Sequence, residues 1–147
     1  PTETEQDVLV LKEDSTYYSD SEYLFGVGEE TTSLDIINSF ENTGVYLYDM
    51  DGNMIFDNEV VGTSFEIRLM RNGEAIDSLR ILIRGDVDSS GSVDSTDYLR
   101  IKQLFLENVE ISSDSGLAAD IDENGKIDAT DYLRVKAHFL GSFDIYK

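Results

Sequence analysis

The C-terminal part of the chain is dominated by one stretch of sequence that occurs twice. Residues 85–106, GDVDSSGSVDSTDYLRIKQLFL, align without gaps on residues 119–140, ADIDENGKIDATDYLRVKAHFL, at an offset of 34 positions. Twelve of the 22 positions are identical, and three more exchange Val for Ile. Such similarity at a fixed offset indicates an internal duplication. We therefore expect this part of the chain to fold as two equivalent halves.

Each copy begins with a loop rich in Asp, Ser, Asn and Gly and continues as an amphipathic helix. The apolar positions of the helices recur at helical spacing and predict one buried face. They are Tyr98, Ile101, Leu104 and Phe105 in the first copy and Tyr132, Val135 and Phe139 in the second. Between the copies, residues 108–119 favour a connection with one short helical turn around residues 115–118.

The loop of each copy places oxygen-bearing residues at the spacing of a calcium-binding loop. Calcium takes six to eight oxygen ligands, and a twelve-residue loop supplies them from positions 1, 3, 5, 7, 9 and 12, with the backbone carbonyl serving at position 7. Position 6 requires a sharp turn, and it is Gly91 and Gly125. The predicted ligands are Asp86, Asp88, Ser90, Ser92, Asp94 and Asp97 in the first loop and Asp120, Asp122, Asn124, Lys126, Asp128 and Asp131 in the second. Position 8 is Val93 and Ile127, which are expected to join the two loops by a short strand-like contact.

The alternative to a metal site is a pair of Asp-rich turns that bind nothing. The ligand set contains eight carboxylates in two short windows. Without cations these groups would repel one another, each close pair at a cost on the order of 1 kcal/mol or more. We therefore expect two Ca²⁺ ions, whose four positive charges would change the formal net charge from -20 to -16.

Two features distinguish these loops from an ordinary EF-hand. Position 12 is Asp97 and Asp131 where Glu is usual, and residues 79–84 favour a strand where an entering helix is expected. A duplicated loop–helix half-hand with Asp at position 12 resembles the dockerin family, over residues 85–141. Dockerins are calcium-binding modules of cellulosomal and other cell-surface proteins, as in clostridia and ruminococci. They attach these proteins to a scaffoldin by binding its cohesin modules. The resemblance implies a secreted or cell-surface location and a chain that is monomeric when unbound.

The resemblance also implies which residues contact the partner. In dockerins these are loop positions 10 and 11 and helix positions 17 and 18. They correspond to Ser95, Thr96, Lys102 and Gln103 in the first copy and to Ala129, Thr130, Lys136 and Ala137 in the second. Two of the four pairs differ between the copies, which leaves open how equally the two faces bind.

Upstream of Gly85 the sequence favours strands and tight turns. The strand candidates are residues 8–11, 23–27, 45–48, 63–70 and 75–84, with turns at Asp51-Gly52 and Asn72-Gly73 and a helix capped at Thr32 that runs to about Phe40 with Leu34, Ile37 and Phe40 on one face. We expect two modules, a β-rich, β-sandwich-like module over residues 1–84 with one short helix and an all-α module over residues 85–147.

The segment GVYLYDMDGN, a Val-Gly-Thr and the strand that abuts Gly85 resemble the X-type modules that precede dockerins. Residues 1–6 favour a linker end, so the chain is expected to be a piece of a longer protein.

Composition excludes several classes of partner and chemistry. The chain carries 31 acidic and 11 basic residues, so its field repels nucleic acid and anionic membranes. It contains no Cys, which rules out disulfides, zinc–thiolate sites and thiol catalysis. It also contains no run of 18 apolar residues, as a membrane-spanning helix would need.

Three other functions compete with docking. Catalysis is disfavoured because His138, the only histidine, stands where the first copy has Leu104, and because Asp49 and Asp51 flank a turn. A calcium sensor exposes a Met-rich groove, but the three methionines lie outside the repeat. Sugar binding would use Tyr17, Tyr18, Tyr23, Tyr46 and Tyr48. The alternative to docking is thus a calcium-binding structural module beside a carbohydrate-binding domain, and no enzyme activity is expected.

Overall fold

A computed structural model describes residues 7–108 and 113–147. In chain order the elements are β1 Tyr18–Ser19, β2 Tyr23–Val27, α1 Ser33–Ile37, β3 Val45–Tyr48, β4 Glu66–Arg71, β5 Glu74–Ile83, α2 Ser95–Leu106, α3 Asp114–Ala119 and α4 Ala129–Phe139. A sheet region is therefore followed by a helical region that begins after β5. The expected linker end at residues 1–6 lies outside the described residues, as does part of the connection before α3.

The strands form a single mixed sheet in the order β1-β2-β5-β4-β3, in which β2 and β5 are parallel and the other pairs are antiparallel. Asn72 and Gly73 join β4 to β5 with φ of 53° and 81°, as the predicted turn requires. The β-sandwich-like expectation is wrong for the described residues, which contain one sheet and no second one packed on it. Alternating apolar residues predict a face that must be covered, but they do not specify whether a sheet or a helix covers it.

The first hydrophobic core lies on one face of this sheet. Leu47, Ile67 and Ile81 are fully buried there and pack with Ile36 of α1. Thr32 caps α1 as predicted, because its hydroxyl accepts from the Asp35 N–H and its own backbone N–H donates to the Asp35 carboxylate. The helix ends at Ile37, short of the expected end, and it buries Ile36 while Leu34 is 49% exposed. Of the three side chains predicted for the apolar face, Phe40 is buried in this core and Ile37 packs against it, whereas Leu34 lies outside it.

Two of the predicted strands, and the segment after the predicted turn at Asp51-Gly52, pair less extensively than expected. Residues 8–11 form only an isolated bridge from Leu11 to Phe40. The strand expected from residue 63 begins at Glu66, because a turn closed by the Phe65 N–H to the Gly62 carbonyl, at 3.2 Å, precedes it. After the turn at Gly52, the chain returns through a single bridge between Tyr48 and Met54. The other three predicted strands, at residues 23–27, 45–48 and 75–84, form within one residue of the expected bounds.

The second core is built between α2 and α4. Ile101 and Val135 are fully buried at its centre. The rings of Tyr98 and Phe139 lie 6.4 Å apart, and those of Phe105 and Tyr132 lie 5.7 Å apart, so the start of each helix meets the end of the other. The two helices are therefore antiparallel, and the Asp-rich loops that precede them lie at opposite ends of the pair.

The helical region packs directly on the sheet. Tyr23 of β2 and Leu82 of β5 belong to the second core, although both are part of the sheet. The Gly85 N–H donates to the Ala118 carbonyl at 2.8 Å, two residues after β5 ends. The sequence predicted no flexible linker between the sheet and the helical region, and the two regions are indeed packed together at this junction. None of the described helices is long and apolar enough to cross a membrane.

Candidate calcium centres

Each Asp-rich loop is wrapped around its first aspartate. Asp86 accepts hydrogen bonds from the backbone N–H groups of Ser90 and Gly91, both at 3.0 Å. Asp120 accepts the equivalent bonds from Asn124 at 3.3 Å and Gly125 at 3.0 Å. The two glycines have φ of 83° and 85°, in the region that favours glycine, which explains why position 6 carries no side chain.

The aspartate at position 12 closes each loop from the other side. Asp97 is fully buried, and its carboxylate accepts from the N–H groups of Val87 at 3.0 Å, Asp88 at 3.2 Å and Asp94 at 3.0 Å. Asp131 makes the equivalent three bonds in the second loop. The bond from position 9 is half of a capping box at the start of the following helix. The spacing Asp-x-x-Asp could have predicted this second role from the sequence.

Three carboxylates converge in each loop. One oxygen from each of Asp86, Asp88 and Asp97 lies within 4.8 Å of the other two, and Asp120, Asp122 and Asp131 are arranged in the same way. Two oxygens that each lie about 2.4 Å from one cation are at most about 4.8 Å apart. The carboxylate groups present therefore fit a calcium ion at positions 1, 3 and 12 of both loops.

The other predicted ligands lie in the same loops with different contacts. Asp94 and Asp128 cap α2 and α4 by accepting from the N–H groups of Thr96 at 3.0 Å and Thr130 at 3.1 Å, and neither belongs to the converging groups. At position 5, the Ser90 N–H donates to Asp88 at 3.1 Å, and that of Asn124 donates to Asp122 at 3.3 Å. At position 7, the Ser92 carbonyl accepts from the Ser90 hydroxyl at 3.2 Å, and the Lys126 N–H donates to the Asn124 amide oxygen at 3.0 Å.

In the absence of a cation, burial raises the pKa of the carboxyl groups at positions 1 and 12 of both loops. It raises the pKa of Asp86 to about 6, that of Asp97 to about 7 and that of Asp131 to about 6. The neighbouring carboxylate Asp88 also raises the pKa of Asp86 and Asp97. A bound cation would supply the positive charge that a proton otherwise provides, so Ca²⁺ and protons compete for the same oxygens.

This competition predicts how stability changes with pH. In the folded, calcium-free chain, the carboxyls of Asp86, Asp97 and Asp131, with pKa values of about 6, 7 and 6, hold protons to a higher pH than in the unfolded chain, where aspartate loses its proton near pH 4. In EDTA, the melting temperature should therefore fall as pH rises from 5 to 7.5, and the stabilisation by added Ca²⁺ should grow over the same range. Thermal melts followed by circular dichroism test this. Asp97→Asn should flatten the slope in EDTA, and a melting temperature that rises with pH in EDTA would contradict the prediction.

The expected contact between the two loops at position 8 is wrong. The Val93 N–H donates instead to the Glu29 carboxylate at 2.9 Å. Antiparallel packing of α2 and α4 places the loops at opposite ends of the helix pair, so Val93 and Ile127 cannot form the strand-like bridge of a paired EF-hand.

The residues expected to contact a partner lie on the outside of the helix pair. Ser95, Thr96, Gln103, Thr130 and Lys136 are exposed, and Lys102, Ala129 and Ala137 are half-buried. The ammonium of Lys102 lies 5.9 Å from the ring centres of both Tyr98 and Tyr132, and that of Lys136 lies 5.9 Å from Tyr98. The structure thus brings the two lysines together over the central tyrosines, while the threonines lie at opposite ends of the helix pair.

Four exposed leucines were not assigned a role from the sequence. They are Leu99, Leu106, Leu133 and Leu140, which are 61%, 71%, 52% and 66% exposed. They form two equivalent pairs at the repeat offset, and none belongs to the buried stripe of its helix. Repetition of an apolar residue away from that stripe was the signal that could have identified them as surface residues.

The residues considered for other functions have structural partners. His138 pairs with Glu29, and its other ring nitrogen lies 3.3 Å from the Ile145 N–H. Asp49 accepts from the N–H groups of Asp51 at 2.9 Å and Asn53 at 3.0 Å, as expected for a turn. Of the tyrosines considered for sugar binding, Tyr23 and Tyr48 are buried, Tyr17 is half-buried, and Tyr18 stacks on Phe25 at 5.3 Å.

Comparison with protein families gives a match for the helical region. Residues 84–140 match the family model described as the dockerin type I domain. Comparisons of the chain with curated proteins and with solved structures give no match. The match covers both loops and all of α2, α3 and α4, and it agrees with the resemblance drawn from the duplicated half-hand.

Proposed function

We propose, from the premise that residues 84–140 are a dockerin type I domain, that this chain docks a parent protein onto a cohesin module in a calcium-dependent way. Dockerin domains are calcium-dependent, cohesin-binding modules without catalytic activity of their own. The observation that carries the proposal for this chain is the pair of equivalent aspartate clusters, each positioned directly before a helix with an exposed hydroxyl in its first turn.

Calcium has a structural part in this function. The twelve residues at positions 1, 3, 5, 7, 9 and 12 would hold two ions, with the buried carboxylates of Asp86, Asp97, Asp120 and Asp131 as the anchors. Such ligands converge only in the wrapped loop, so binding energy is also folding energy. The ions would thereby fix the start of α2 and α4, where the docking residues lie.

The docking surface consists of two related faces. Each contains the start of its helix, at the exposed Ser95 and Thr96 or at the half-buried Ala129 and the exposed Thr130. The exposed leucines would add apolar area to this surface, and apolar area is concentrated in the core of a protein interface. Lys102 and Lys136 lie near the centre of the helix pair, where a partner could reach both lysines from either face.

The sheet region would support this module. We assign residues 1–84 to an X-type module and residues 85–147 to the dockerin module, although two sheet residues complete the second core. The chain would be a secreted or cell-surface component of a cellulosome-type complex that degrades polysaccharides, anchored through a scaffoldin and monomeric when unbound. Its net charge of -20 favours a partner with a basic or neutral docking surface.

Binding of the whole chain to a panel of purified cohesin modules tests the proposal. We expect at least one cohesin to bind in 2 mM Ca²⁺ and to be released by EDTA, with binding measured by calorimetry. A chain that takes up calcium but binds no cohesin would favour the alternative of a calcium-stabilised structural module beside a carbohydrate-binding domain. Binding that survives EDTA would contradict the calcium dependence.

A further inference from the structure

The two calcium loops share their internal hydrogen bonds but differ in one external bond. The second carboxylate oxygen of Asp86 accepts from the Thr63 N–H at 3.0 Å in addition to its bond from Gly91. Among the described residues, Asp120 has no corresponding bond from outside its loop. Thr63 is itself buried, and its hydroxyl accepts from the Ile83 N–H at 3.1 Å, so this donor is held rigidly.

The sheet region also surrounds the rest of the first loop. The Glu30 N–H donates to the Gly91 carbonyl at 2.7 Å, and the Glu30 carboxylate pairs with the Ser92 hydroxyl. The neighbouring Glu29 accepts from the Val93 N–H at 2.9 Å. Positions 1, 6, 7 and 8 of the loop are therefore each bonded to the sheet region. By contrast, the sheet region bonds the second loop through the side chain of Arg84 to Glu123, at 2.6 Å.

Packing at the glycines shows the same difference. A Cβ at Gly91 would collide with Val60 and with the Val61 carbonyl, whereas a Cβ at Gly125 would meet nothing within 4 Å. On the sheet side, a Cβ at Gly62 would collide with the carbonyl of Ser89, which is position 4 of the first loop. The backbones of Gly62 and the first loop are therefore in direct contact.

We propose that residues 29–30 and 60–63 are part of the first calcium centre and make the two centres unequal. This inference rests on the proposed calcium binding. The first loop is held in its wrapped form by a neighbouring rigid sheet, so less ordering is required when its ligands converge on a cation. The second loop is exposed and must order itself. The first centre thus binds calcium more tightly than the second, and its occupancy is coupled to the sheet region through Thr63.

Calcium titrations of glycine variants test the coupling. Asp122→Ala leaves the first centre to be measured, and Asp88→Ala leaves the second. Gly62→Ala should weaken calcium binding about tenfold in the Asp122→Ala chain, because displacement of the loop removes a hydrogen bond to a charged acceptor. It should change binding less than twofold in the Asp88→Ala chain. Gly28→Ala is the matched control, since a Cβ at Gly28 meets nothing within 4 Å, and it should leave both affinities unchanged.

A second measurement requires no substitution at the contact between Gly62 and the first loop. In the Asp122→Ala chain, the NMR signal of the Thr63 amide should shift as calcium fills the first centre. In the Asp88→Ala chain it should stay in place while the second centre fills. The coupling is refuted if Gly62→Ala weakens calcium binding at both centres equally or at neither. It is also refuted if the Thr63 amide signal does not shift as the first centre fills. If the unaltered chain binds no calcium, both the proposed function and this inference are refuted.

Discussion

Removal of calcium should lower the melting temperature of the helical region by roughly 20 °C, so that part of the helical structure is lost at neutral pH. At a free calcium concentration about 1,000 times the dissociation constant, each ion contributes about 4 kcal/mol. Two ions would contribute about 8 kcal/mol, which is comparable to the whole stability of an ordinary domain, and about 1 kcal/mol corresponds to roughly 2–4 °C in a chain of this size. Circular dichroism melts in calcium and in EDTA measure the effect, and calorimetry should find two ions per chain.

The ions can be assigned to their loops by substitution. Asp86→Ala removes an anchoring carboxylate of the first loop and leaves all ligands of the second, so the stoichiometry should fall from two to one. Glu13→Ala removes an exposed acid outside both loops and is the control for the change in net charge. An unchanged far-UV spectrum after chelation, or a stoichiometry of zero for the unaltered chain, would refute calcium-dependent folding.

The features of the helical region that follow from local spacing could be predicted from the sequence. The buried stripe at Ile101 and Val135 follows from helical periodicity, and the wrapped loops follow from the position of Asp and Gly in the repeat. The antiparallel arrangement of α2 and α4 was not predicted, although it decides where the loops lie. A repeat specifies two equivalent halves, but the relation between them depends on packing of the tyrosine and phenylalanine rings.

Contacts between distant parts of the chain were beyond sequence analysis. The bond from Thr63 to Asp86 and that from Val93 to Glu29 join residues 23 and 64 positions apart. Nothing in the local pattern distinguishes Gly62 from a glycine that merely permits a turn, yet its missing side chain is what allows the first loop to approach. For the sheet region, alternation located four of the strands but could not reveal the parallel pairing of β2 with β5.

Under the proposed docking function, the helix pair would offer a cohesin two ways to bind. Antiparallel packing relates the halves by an approximate twofold rotation. A cohesin that contacts Ser95 and Thr96 could therefore bind after a rotation of about 180° and contact Ala129 and Thr130 instead. The lysines near the centre would serve both orientations. The differences at Ser95/Ala129 and Gln103/Ala137 would bias the choice, because each lost hydrogen bond is worth roughly 1 kcal/mol.

Negative charge at the helix starts should distinguish one docking face from two. Ser95→Asp with Thr96→Asp should leave cohesin binding largely intact, because the second face substitutes for the first. Addition of Ala129→Asp and Thr130→Asp should then abolish binding, since a buried unpaired carboxylate costs far more than a lost hydroxyl. These positions lie in the first turn of α2 or α4, where acidic residues are compatible with the helix dipole, so folding should be retained. Calorimetry with the cohesin measures affinity, and circular dichroism checks the fold.

The same charge placed elsewhere controls for long-range repulsion. Ser21→Asp with Thr43→Asp changes two exposed positions of the sheet region and should leave affinity within about twofold, because charges that far from the partner are screened at physiological salt. Loss of binding in the Ser95→Asp, Thr96→Asp chain alone would show that one face is used. Unchanged affinity in the chain with all four substitutions would place the interface elsewhere, because no cohesin could bury the two added carboxylates at either helix start without losing most of its binding energy.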